Sequence, residues 1–210
     1  MKRYTVLIIL FCIGFIVSGI KPLDYFTWKL EVLPAILGFI VLLYTYKSFR
    51  FSNVTYYTIL IHCYILFIGG HYTYAEVPFF NWIQDAFHHT RNNYDKVGHF
   101  AQGFVPTLIS RELFIRKKIV QDKLWLPILT ICISLSVSAL YELGEWMVAI
   151  ISKQDAEAFL GTQGYAWDTQ SDMFYAFLGS ISMLIFATSI QNKSITNVES
   201  KNVHVTTPLS

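Results

Sequence analysis

A chain of 210 residues is the size of a single domain. Hydrophobic residues make up 54% of it and charged residues 14%, and its mean hydropathy of +0.44 is too apolar for an ordinary soluble domain. The net charge of +2 is spread thinly and excludes nucleic-acid binding, which needs a concentrated basic footprint.

Met1-Lys2-Arg3 precedes an apolar run over about 4–20. It reads as either a signal peptide or a first membrane helix. Val17-Ser18-Gly19 is a poor cleavage site, which favours an uncleaved helix. A second run, 28–46, holds Glu31 and Pro34 in what read as its first turns, where an acid and a proline are tolerated. A third, 54–70, contains His62, a residue more often bonded to a neighbouring helix than a ligand.

The polar, aromatic-rich stretch 71–94 is an outer loop, and Trp82, Ile83, Ala86 and Phe87 recur there at helical spacing, predicting a short interfacial helix. The fourth span, 95–115, is unusually polar and ends at Arg111-Glu112, which reads as an interfacial anchor with a compensating charge. A fifth span covers 124–151, a loop with Gly161 and Gly164 follows, and a sixth span covers 168–190. Residues 191–210 read as a loose cytoplasmic tail. Cys12, Cys63 and Cys132 lie in apolar runs without metal-site spacing and are expected to be small buried hydrophobes.

The expected fold is therefore all-α: one polytopic membrane domain over 1–190 with about six transmembrane helices in contact with the lipid bilayer. Basic residues recur at alternate span ends, at Lys2 and Arg3, Lys47 and Arg50, Arg116 to Lys118 with Lys123, and Lys193. By the positive-inside rule both termini are cytoplasmic.

Three polar stripes interrupt the apolar pattern. Asp95, His99, Gln102 and Pro106 share one face of the fourth span. Ser134, Ser138, Glu142 and Glu145 line the fifth, and Asp168, Asp172, Tyr175 and Gly179 line the sixth. The topology puts the acids of all three at similar depth near the outer face. Ionisable groups there cost roughly 2.5–3.5 kcal/mol each, so they pair, bind an ion or line a pathway. Arg91 and Lys96 are the nearby cations.

Carboxylates with an imidazole suit a divalent cation: Zn²⁺ or Mn²⁺, or Mg²⁺ if the histidine stays out of the shell. Asp95, His99, Asp168 and Asp172 are the candidate ligands, and Glu142 and Glu145 the candidate catalytic acids or bases. That reading is a metal-assisted hydrolase or transferase acting on a lipid-linked or envelope substrate. Two others remain open: a small ion- or proton-coupled carrier, and a structural or assembly protein whose acids cap and join helices. The reach of His71, His88 and His89 over the site is also open.

Four ordered motifs are characteristic. They are 69–78 (Gly69-Gly70-His71-Tyr72 onward), 91–103 (Arg91-Asn92-Asn93-Tyr94-Asp95-Lys96-Val97-Gly98-His99 onward), Tyr141-Glu142-Leu143-Gly144-Glu145-Trp146, and 161–173, which includes Trp167-Asp168-Thr169-Gln170-Ser171-Asp172. Together they resemble the YjdF family of bacterial inner-membrane proteins. The resemblance implies a polytopic protein of the inner (cytoplasmic) membrane and no particular activity. Asp95, Lys96, His99, Phe100 and Asp172 also match, more distantly, the outline of VanZ-like membrane proteins.

Overall fold

The computed structural model describes residues 2–152, 163 and 165–206, with side chains over 3–151, 163 and 165–200. The described residues are helical apart from turns and connections. The helices are α1 (Lys2–Ser18), α2 (Tyr25–Thr45), α3 (Asn53–His71), α4 (Pro78–Phe87), α5 (Tyr94–Arg116), α6 (Trp125–Ser152), α7 (Asp168–Ser182) and α8 (Thr188–Thr206). A π-helical turn, Met183–Ala187, joins α7 to α8. The expected glycine loop before Asp168 lies largely outside the described residues.

Among the described residues, four helices are long and apolar enough to cross a membrane: Tyr25–Thr45, Asn53–His71, Trp125–Ile151 and Asp168–Ser200. The apolar stretch of α1, Arg3–Ser18, is shorter. Helix α5 carries Asp95, Lys96, Arg111, Glu112 and Arg116, and packs between α3, α6 and α7. A helix shielded in this way does not need an apolar surface for lipid.

The N-terminal helices form an aromatic core in which Phe11 stacks on Phe39 at 4.3 Å and meets Phe67 edge-on at 5.3 Å. Asp24 starts α2 by accepting the Thr27 N–H at 2.6 Å. That bond holds the Asp24 carboxyl below its ordinary range.

Helices α5 and α7 meet backbone to backbone. A Cβ at Gly103 would overlap the Ala176 carbonyl, and one at Gly179 would overlap the Phe100 carbonyl. Ser134 of α6 donates to the Gly103 carbonyl at 2.8 Å, and Ser180 of α7 donates to the same oxygen at 3.3 Å. Small residues at a crossing allow this approach. Here they bring the first turns of α5 and α7 side by side.

Three local expectations need correction. From Gln191 the chain is helical through Thr206 rather than a loose tail. Gln191 is fully buried, donating to the Leu108 carbonyl and accepting from Arg111, each at 2.7 Å, so polar residues there serve α5 rather than solvent. Glu112 is not an interfacial anchor. It is fully buried and caps α3, accepting from the Ser52 N–H at 2.6 Å, the Ser52 hydroxyl at 2.8 Å and the Thr55 hydroxyl at 2.5 Å, with Arg116 at 2.8 Å. Of the cysteines only Cys63 is buried; Cys12 and Cys132 point outward.

Candidate metal centre

The α5–α7 crossing assembles the polar stripes. Lys96 Nζ lies 2.5 Å from Asp172 Oδ1, 3.2 Å from Asp168 Oδ1 and 3.8 Å from Asp95 Oδ2. Arg91 pairs with Asp168 and stands 3.7 Å from Asp95 Oδ2. The two basic side chains thus take one oxygen from each of three aspartates.

The remaining oxygens of Asp95 and Asp172 turn to His99. Its Nε2 is 3.3 Å from Asp95 Oδ1 and 3.8 Å from Asp172 Oδ2. On the other side of the ring, Nδ1 is 2.9 Å from Gln102 Oε1 and 3.7 Å from Glu142 Oε1. Donation from Nδ1 to Gln102 leaves the Nε2 lone pair facing two carboxylate oxygens. Such a position takes a proton or a metal ion.

One ligand atom each from Asp95, His99 and Asp172 lies within 4.8 Å of the other two. Zinc bonds of about 2.0–2.1 Å set adjacent tetrahedral ligands about 3.3 Å apart, so a modest contraction would close this triangle on an ion. All three residues are largely buried, with His99 5% and Asp172 3% exposed.

The other expected site residues divide. Asp168 is buried in its pairing with Arg91 and Lys96, outside the triangle. Glu142 is buried against His99, and its Oε1 has no hydrogen-bond partner. Glu145 lies one turn further along α6, on the wall of a cavity of about 120 Å³ shared with Glu31, His62, Tyr74, Asp95 and His99. Ser134 packs between helices, and Ser138 is buried with an unpartnered hydroxyl. His71 bonds the Ser18 carbonyl at 2.8 Å, while His88 and His89 are exposed.

Sequence reasoning missed Glu31 and Tyr74. Glu31 is buried, and its Oε2 accepts from the Tyr141 hydroxyl at 2.8 Å. Its only local signal is an acid on an apolar run, beyond the first turn once α2 begins at Tyr25. The Tyr74 ring fills the space left by Gly69 and Gly98, where a Cβ would strike it. Burial, with the nearby Glu31 carboxylate, pushes the Tyr74 phenol well above its ordinary value and keeps it a donor.

Outside this interior the surface reverses the soluble pattern. Leu140, Ile150, Ile185 and Phe186 are 58–74% exposed, while Lys96, Asp168 and Asp172 are buried. Charges inside and large apolar side chains outside define an integral membrane protein whose solvent on that surface is lipid. The chain belongs to the family described as predicted membrane protein DUF2238, whose model matches residues 3–193. It is 44% identical over 171 residues to the inner membrane protein YjdF of Escherichia coli (strain K12), covering 81% of this chain and 82% of that protein. No solved structure matches it. The VanZ-like outline gains no support from these comparisons.

Proposed function

We propose that Asp95, His99 and Asp172 form a divalent-cation centre, with Glu142 orienting His99, in a six-span inner-membrane protein that carries out metal-assisted hydrolysis or transfer on a lipid-linked or envelope substrate. The observation that carries this reading is the split coordination of the two aspartates. Each gives one oxygen to Lys96 and turns the other to His99 Nε2.

Charge balance supports it. Four buried or half-buried carboxylates, Asp95, Asp168, Asp172 and Glu142, gather around two permanent cations, Arg91 and Lys96. A divalent ion would offset the excess at the triangle, where desolvation makes uncompensated charge expensive. Glu142 and Gln102 on the Nδ1 side of His99 would hold the tautomer that leaves Nε2 free to bind metal. A bound metal with an open position supplies a Lewis acid and an activated water. Asp168 in this scheme is a positioning residue that fixes Arg91 and Lys96.

The six-span topology with cytoplasmic termini rests on α1 and the shielded α5 crossing alongside the four longer apolar helices. The test is elemental analysis of protein purified in mild detergent, wild type beside Asp95→Ala, His99→Ala and Asp172→Ala. Near-stoichiometric Zn or Mn, lost in all three folded variants, is the expected result. Metal-free folded wild type that also takes up none on incubation with either ion would overturn it.

A further inference from the structure

The cavity adjoins the triangle, shares Asp95 and His99 with it, and reaches beyond it to Glu31 and Glu145. Its walls carry three carboxylates, Glu31, Asp95 and Glu145, two imidazoles, His62 and His99, and the phenols of Tyr74 and Tyr141, with no lysine or arginine among its lining residues. At about 120 Å³ it has the volume of roughly four waters at about 30 Å³ each. Phosphate and carboxylate groups would find no lysine or arginine there. A small cation would meet carboxylate acceptors there, with two phenol rings among the lining residues.

Helix α2 packs chiefly on α3, and α6 on α5 and α7, so the Tyr141–Glu31 hydrogen bond is a principal tie between α2 and α6. Pro34 of α2 and Val137 of α6 line the cavity, lie in helices long and apolar enough to cross a membrane, and are both partly exposed, Val137 by 38%. A route between these two residues would pass apolar side chains before it reached the carboxylates. A hydrated inorganic ion is poorly matched to such a route. A charged head on an apolar tail is well matched.

We infer that this cavity binds the ammonium headgroup of a membrane amphiphile entering sideways from the bilayer between α2 and α6. The head lies against Glu31 and Glu145 with the Tyr74 and Tyr141 rings beside it, and the tail passes Pro34 and Val137 into lipid. Its place next to the triangle makes it a substrate or regulator subsite, but the binding itself does not depend on a metal.

The experiment uses full-length protein in a nonionic detergent and measures thermal protection together with bound stoichiometry by native mass spectrometry. The probes are dodecylamine, dodecanol, dodecyl phosphate, propylamine and sodium chloride. Dodecylamine is expected to saturate at one per chain, at least tenfold more tightly than propylamine, with no specific binding of the alcohol or the phosphate. Glu31→Gln and Glu145→Gln each weaken it at least tenfold. Should either fail to fold, Val137→Trp, which plugs the mouth, gives the same loss. Asp172→Asn, which disables the proposed metal centre, retains amine binding, so the two readings fail separately. Equal binding of dodecanol, equal affinity for propylamine, equal protection by sodium, or amine binding indifferent to the cavity variants would overturn the inference.

Discussion

Replacing Gly103 with alanine tests the contact that brings the acids together. A Cβ there would stand 2.7 Å from the Ala176 Cα and 2.5 Å from its carbonyl carbon. Ordinary carbon–carbon contacts are about 3.5–4.0 Å, so α5 and α7 must part by about 1 Å. An opening of that size would stretch the Lys96–Asp168 pair from 3.2 Å beyond hydrogen-bond range and widen the 3.8 Å gap between His99 and Asp172. Overpacking of this kind costs about 1–3 kcal/mol. Gly38 is the control, because a Cβ there meets nothing within 4 Å and alanine gains about 1 kcal/mol of helix propensity. The assay is the unfolding midpoint in detergent. Gly103→Ala should fall below wild type and Gly38→Ala should not. A Gly103→Ala protein as stable as Gly38→Ala would refute the close crossing.

Other substitutions test the polar interior. Lys96→Met leaves the Asp168 and Asp172 carboxylates short of a buried partner and should cost about 3–5 kcal/mol, read as a lowered thermal midpoint; an unchanged midpoint would contradict the pairing. Glu112→Ala strips the α3 cap and leaves Ser52 and Thr55 donors unpaired, with a loss of similar size expected, whereas Glu199→Ala, on the exposed face of α8, should change little. Asp24→Ala removes an N-cap and should cost about 0.5–2 kcal/mol. Because the folded-state pKa of Asp24 is depressed, its contribution is full above the ordinary carboxylate value of 3.8 and is lost as pH falls through the lower folded value. The wild-type and Asp24→Ala midpoints should therefore converge in strong acid and differ at neutral pH.

The site was partly legible because charge on an apolar helix is conspicuous and the helical period is local. Asp95 and His99 sit four apart on α5, and Asp168 and Asp172 four apart on α7, so each pair shares a face whatever the tertiary structure. Which oxygen faces which cation depends on how two helices cross, and the residues that set the crossing, Gly103 and Gly179, carry no chemical signal of their own. Glu31 and Glu112 escaped for a related reason. Each is completed by a partner far along the chain, Tyr141 for one and Ser52 with Thr55 for the other, and neither pairing has a sequence period. The polar run after Gln191 looked like solvated tail because its burial depends on Arg111 and the Leu108 carbonyl.

Calorimetric titration of chelator-treated, detergent-solubilised protein with Zn²⁺ and Mn²⁺ tests the central claim most directly. The triangle of Asp95, His99 and Asp172 predicts saturable binding of one ion per chain, lost in His99→Ala and Asp172→Asn variants that keep the wild-type helical content. A folded wild-type protein that binds neither ion saturably, or variants that bind as wild type does, would contradict it.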